Sequence, residues 1–91
     1  MSESPAEPTA QQLVEELQKA KVADLLLHTS SLLASLAFGK LDPEARDLEQ
    51  ARLAIDALDA LMPLLEEGPR RDIQQVTANL KLAYAAAASA S

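Results

Sequence analysis

The sequence predicts an all-α fold, a small three-helix bundle made of a helical hairpin and a third helix. Alanine and leucine dominate, and only two glycines are present. No stretch alternates apolar and polar residues as a half-buried strand would. Apolar residues instead recur every three or four positions, which is the period of amphipathic helices. The helices are expected at about residues 10–38, 47–66 and 69–87.

With 91 residues the chain is long enough for one domain, which we expect over residues 9–88. Residues 1–8 and 89–91 are predicted to be disordered tails, because they hold little that a core would bury. A domain of this size buries little surface, and without cysteines it has neither disulfides nor thiolate zinc ligands. The bundle is therefore expected to be completed by oligomerisation, with a dimer as the simplest closed form.

The first predicted helix has a clear start. Thr9 and Gln12 have the spacing of a capping box, in which two side chains satisfy amide donors at a helix N-terminus. No Gly or Pro interrupts residues 10–38, yet polar residues at 18–21 break the apolar stripe. We expect one long helix with loosely attached first turns; its continuity through residue 21 stays open. The short initial stripe consists of Leu13, Val14 and Leu17.

Residues 22–38 are apolar almost all round, which is typical of a buried helix. Two other short helices can hardly cover it, so this helix is expected at or near a subunit interface. Leu26 and Leu33 widen its main stripe, and small residues would allow close approach of neighbouring backbones. The main stripe, named the 22–36 seam, consists of Val22, Leu25, Thr29, Leu32 and Leu36.

The second helix is bounded by turn signals. Gly39 is predicted to cap the first helix, Pro43 marks a loop, and Asp47 is a good N-cap with Gln50 at the capping-box position. Pro63 is expected to kink the helix end and leave one further turn. The apolar stripe of this helix consists of Leu48, Ala51, Ile55, Leu58, Met62 and Leu65.

The third helix is expected to begin at Pro69, because proline suits the first helical position. Tyr84 lies one turn after Leu80 on the apolar side. The alanine-rich end is predicted to fray. The stripe consists of Ile73, Val76, Leu80, Ala83 and Ala87.

The net charge of −6 argues against binding of nucleic acid across a broad surface, because such binding depends on Lys and Arg that neutralise phosphates. Arg70 and Arg71 form the only adjacent basic pair. Acids at Glu66, Glu67 and Asp72 flank them, so a local salt bridge is expected rather than an anion site.

The N-terminal residues lack the charge and apolar core of a signal peptide. The apolar stretch 22–38 has 17 residues and contains Asp24 and His28. A transmembrane helix needs about 20 mostly apolar residues, so no membrane partner is expected. The predicted location is the cytoplasm.

The run Asp-Leu-Glu-Gln-Ala-Arg-Leu-Ala-Ile-Asp at residues 47–56 resembles the signature of a bacterial family of small helical proteins, the domain of unknown function family 1844. The turn at 42–44 and the run at 80–84 follow in the same order, so the resemblance covers about residues 22–84. Pro63 and the alanine-rich end depart from the family pattern. The resemblance implies a short bacterial helical protein without an assigned activity. Family members are often encoded near translation genes, which suggests a translation-linked partner.

No catalytic, cofactor or metal site is predicted. Asp24 and His28 share one helix face and would be a fragment of a metal or acid–base site. No second histidine or cysteine completes such a site, so we interpret them as a structural or solvent-facing pair. Asp56 and Asp59 are interpreted as surface charges.

Arg52 and Tyr84 are interface candidates, because both residue types are enriched at interaction hot spots. A hydrogen bond between helices of one subunit is the alternative for both. The chain is thus predicted to be a non-enzymatic protein–protein interaction module that self-associates. The alternative is an accessory subunit of a different protein, linked to translation. A metal-binding or hydrolytic protein using Asp24 and His28 is the least expected function. The predicted interface residues are Val22, Leu25, Leu26, Thr29, Leu32, Leu33, Leu36, Arg52 and Tyr84.

Overall fold

The computed structural model describes residues 9–90, which form four α-helices and no β-strand. The all-α prediction is confirmed. The predicted tail at residues 1–8 lies outside the described residues, as does Ser91. The helices are α1 at Ala10–Lys19, α2 at Val22–Lys40, α3 at Leu48–Leu61 and α4 at Glu67–Ala90, with a 3-10 turn at Met62–Leu64.

Helix α1 begins with the predicted capping box. The Gln12 amide donates to Thr9 Oγ1 at 3.1 Å, and the Thr9 amide donates to Gln12 Oε1 at 2.9 Å. The expected long helix 10–38 is divided, because Ala20 and Lys21 take extended conformations with ψ of 145° and 137°. No residue of α1 is buried, so no packing holds this junction helical.

Helix α2 continues past the predicted cap at Gly39 and ends at Lys40. Gly39 does not adopt the left-handed conformation of a glycine cap. Leu41 follows in helical geometry and is buried, and its carbonyl accepts a hydrogen bond from Arg46 Nη2 at 3.3 Å. The helix stops before Asp42, because the proline that follows this residue disfavours helical geometry there.

Helix α3 is capped by Asp47, whose Oδ1 accepts from the Gln50 amide at 3.2 Å, as predicted. The Asp47 amide donates to the Lys40 carbonyl at 2.7 Å, so this cap also ties α3 to the end of α2. The helix ends at Leu61, and the further turn expected after Pro63 is a 3-10 turn. Pro63 lies in its first positions, where a missing amide donor removes no helical hydrogen bond.

Helix α4 begins at Glu67, two residues before the predicted start. Pro69 therefore lies inside the first turn, where its lack of an amide donor is equally harmless. The helix continues to Ala90, beyond the predicted end at residue 87. Alanine has the highest helix propensity, which favours this extension over a frayed end.

Helices α2, α3 and α4 pack on one another around one core. Leu58 and Leu80 are fully buried at its centre, which confirms the predicted stripes of α3 and α4. Helix α2 contributes mainly the small residues Ser30, Ala34 and Ala37. The buried core consists of Ala34, Ala37, Leu41, Ala51, Ala54, Ile55, Leu58, Leu65, Ile73, Leu80 and Ala87.

The buried hydroxyl groups are satisfied within their own helices. Ser30 Oγ donates to the Leu26 carbonyl at 2.8 Å, and Thr77 Oγ1 donates to the Ile73 carbonyl at 2.7 Å. Neither hydroxyl therefore imposes the cost of an unpaired polar group in the core.

We expect Leu58→Ala to destabilise the fold by about 2–5 kcal/mol, because it leaves a cavity at a fully buried position. Urea denaturation followed by circular dichroism measures this change. The matched control is Leu82→Ala, because Leu82 is 72% exposed on α4. Equal loss of stability in both variants would contradict the central position of Leu58.

Candidate interaction surface

The 22–36 seam is largely exposed in the described chain. Val22 is 70% exposed and Leu32 58% exposed, and Leu25 and Leu36 are also more than half exposed. Thr29, at the middle of the seam, is half-buried. Helix α2 turns its small residues toward the core, so the seam lies on a flank that no described residue covers.

Leu26 and Leu33, which were predicted to widen the seam, pack partly against the core. They form the border between the exposed seam and the buried side of α2. These two predicted interface residues therefore already serve the packing of their own chain.

A shallow apolar groove of about 110 Å³ lies between α2 and α3 and continues the seam. Leu36 forms part of one wall, and Leu53, which is 62% exposed, forms part of the other. Leu53 is not among the predicted interface residues. In the sequence it stands out only as an apolar residue that lies outside the apolar stripe of α3. The groove is lined by Leu33, Leu36, Gln50, Leu53, Ala54 and Ala57.

The seam is uncharged, and the polar residues of α2 lie elsewhere. Asp24 and His28 project to another side of the helix, because each residue advances about 100° around the axis. Ser31 and Ser35 share that side and are exposed, and the four residues form a polar strip. Helix α2 therefore has three sides: a core side of small residues, an apolar exposed seam and a polar exposed strip.

Helix α1 presents a second exposed apolar surface. It is strongly amphipathic, and Leu13, Val14 and Leu17 form its apolar side. All three are exposed. This side of α1 covers nothing on the rest of the described chain.

Asp24 and His28 are both exposed, and no hydrogen bond joins their side chains. Within residues 9–90, no group of three or more His, Asp or Glu side chains is placed to hold a metal ion. The pair therefore stands as a solvent-facing pair on the polar strip.

Arg52 is exposed on α3, whereas Tyr84 is half-buried on α4 against the core. Within residues 9–90, neither side chain forms the helix–helix hydrogen bond that was one of the two alternatives. Their role at an interface stays a prediction. Asp56 is exposed, and Asp59 pairs with Lys81 of α4 at 3.0 Å.

The basic pair on α4 is engaged locally. Arg71 Nη2 forms the expected salt bridge with Glu67 at 3.4 Å. Arg70 Nη2 instead donates to the Leu65 carbonyl at 2.7 Å and so ties the first turn of α4 to the residues before it. Glu67 lies beside Arg71 and offsets its charge, although 76% of the Arg71 side chain stays exposed.

Helix α2 is longer than the apolar stretch considered from sequence, because it continues to Lys40 and has 19 residues. Among the described residues it is the one helix long and apolar enough, by length and composition, to cross a membrane. Its mean hydropathy is 1.4, and 17% of that window is buried. A mostly buried core helix of a soluble protein and a signal sequence near the N-terminus meet the same criterion.

Comparison with protein-family models, curated proteins and solved structures finds no match to this chain. The resemblance to family 1844 therefore stays a prediction.

We expect His28→Ala to leave the melting temperature unchanged with and without added zinc, because the described chain brings no further ligand to this side chain. Thermal melting followed by circular dichroism, with one molar equivalent of Zn²⁺ and with EDTA, measures this. Wild type serves as the reference. A zinc-dependent rise in melting temperature that is lost in His28→Ala would contradict the assignment.

Proposed function

We propose that this chain is a non-enzymatic protein–protein interaction module that forms a homodimer through the 22–36 seam. In this proposal α2, α3 and α4 make up a three-helix bundle, and the second copy covers its open flank. The observation that supports it is an uncharged row of four large apolar side chains, each more than half exposed. Exposed apolar surfaces of this kind mark interaction sites in soluble proteins.

The energy available from this row offsets only part of the cost of association. Burying a Leu or Val side chain contributes about 1.5–3 kcal/mol, so the half-exposed positions offer roughly 1 kcal/mol each. Eight such side chains from two copies give on the order of 8 kcal/mol. Association itself costs an estimated 4–15 kcal/mol, so a stable dimer requires apolar contact in addition to the seam.

A protein partner suits α2 better than lipid does. The polar strip with Asp24 and His28 stays in water when only the seam is covered, whereas a spanning helix would immerse His28, Ser31 and Ser35. We therefore locate the protein in the cytoplasm as part of this proposal. The net charge of −6 favours solubility of the remaining surface.

We expect wild type to have the mass of a dimer at micromolar concentration in multi-angle light scattering, and Leu32→Glu to be a helical monomer. The introduced carboxylate would be desolvated at the centre of the interface, whereas in the monomer it lies in water. Circular dichroism verifies that the variant stays folded.

The matched control is Leu82→Glu, an equally drastic change at an exposed leucine on α4. It should keep the dimer mass. A monomeric wild type with a cooperative melt would refute self-association. Capture of one defined, different protein by wild type and not by Leu32→Glu would favour the accessory-subunit alternative. Flotation of the isolated protein with phospholipid vesicles would favour a membrane role.

A further inference from the structure

We infer that the two copies pair their α2 helices antiparallel about Thr29 and exchange α1, so that α1 of each copy occupies the α2–α3 groove of its partner. This inference builds on the proposed self-association. It names the register of the seam and assigns α1 as a second part of the same interface.

The ends of the seam are symmetric about Thr29, because Val22 and Leu36 each lie seven residues from it, whereas Leu25 and Leu32 fall opposite the border residues Leu33 and Leu26 of the other copy. In an antiparallel pair centred there, Val22 lies opposite the partner's Leu36, and Leu25 lies opposite the partner's Leu33. A two-fold interface must be self-complementary in this way, because each residue meets the counterpart of its own contact. The half-buried Thr29 is also the smallest seam residue, so the helix axes approach most closely at the two-fold axis.

Helix α1 is too short to reach the groove of its own chain. Leu36 lies 14 residues beyond Val22, or about 21 Å along α2. A folded-back α1 would use the two linking residues to cross the roughly 8–10 Å between packed helices. Leu13 would then lie only about 9 Å along α2, near residue 28.

In the antiparallel register, the short length of α1 no longer keeps it from a groove, because it lies near the groove of the other copy. This register places the partner's Val22 opposite Leu36, at the edge of the groove, so the partner's α1 begins where the groove lies. Ala20 and Lys21 are extended and join two separately capped helices, which gives α1 a direction independent of α2. A parallel pair would instead leave both α1 helices at the far end of α2.

The area that a stable dimer needs supports the exchange. Specific interfaces bury about 800 Å² per partner. At roughly 100 Å² of apolar surface for each exposed side chain, the four large seam residues and Leu53 supply about 500 Å². The three apolar residues of α1 add about 300 Å², which brings the total to the required size.

The chemistry of the two surfaces also fits. Leu13, Val14 and Leu17 form a narrow apolar side of the kind that enters a hydrophobic groove, with anchors one turn apart. Leu36 and Leu53 form the groove walls, and alanines line its α3 side. Glu15 and Glu16 lie on other sides of α1 and would stay in water.

The absence of cysteine allows this arrangement to be tested by disulfide trapping in the full chain. Thr29→Cys alone should give a disulfide-linked dimer under mild oxidation, because the two-fold axis brings the two thiols together. Equilibrated mixtures of Leu17→Cys and Leu53→Cys chains should link to each other in several-fold excess over links between identical chains. Mass spectrometry identifies each product.

Leu82→Cys is the control for both reactions, because it is equally exposed and lies on α4. Light scattering of each reduced variant distinguishes failure of the proposed register and exchange from failure of self-association. A dimer that yields neither the 29–29 nor the 17–53 link overturns the register and the exchange while self-association stands. A monomer for wild type overturns self-association as well. A double variant Leu17→Cys/Leu53→Cys that links within one chain overturns the exchange alone.

Discussion

The close contact that α2 makes through its small residues is the constraint on which the rest of the structure depends. Ser30 and Ala37 are fully buried and Ala34 nearly so, which brings the backbones of α3 and α4 close to α2. The Ser30 hydroxyl is satisfied by the Leu26 carbonyl, so this contact contains no unpaired polar group. Leu26 and Leu33 pack at the edge of this side, whereas the more exposed leucines of α2 lie on its flank. The core side and the exposed seam of α2 therefore both follow from how small and large side chains are distributed around this helix.

The sequence predicts the packing sides of α3 and α4 correctly, because each has one apolar stripe opposite charged residues such as Glu49 and Asp56. It does not predict which side of α2 faces its own core. Apolar residues surround that helix, so periodicity alone favours the side with the largest side chains, whereas the core contacts the side with the smallest. Leu53 is absent from the predicted interface for a related reason, because its exposure depends on how α2 and α3 align in the folded chain.

Local signals predict helix starts better than helix ends in this chain. The caps at Thr9 and Asp47 form as expected, because a side chain and an amide three residues later suffice to make them. Gly39 does not end α2, because burial of Leu41 stabilises two further helical residues, Gly39 and Lys40. The break at Ala20 contains no Gly or Pro. Polar residues at 18–21 interrupt the apolar stripe there, and no packing of α1 on the core holds the junction helical.

The three sides of α2 together favour protein over lipid as the covering of its seam. A bilayer would surround the helix and desolvate the polar strip, including His28, Ser31 and Ser35, whereas Asp24 in its first turn would lie near the interface. The bilayer would also have to replace the α3 and α4 contacts that already bury Ala34 and Ala37. A second protein surface covers only the flank from Val22 to Leu36 and leaves Asp24 and His28 hydrated. The arrangement of polar and apolar residues around this single helix thus supports the proposed protein partner, which its overall hydropathy does not.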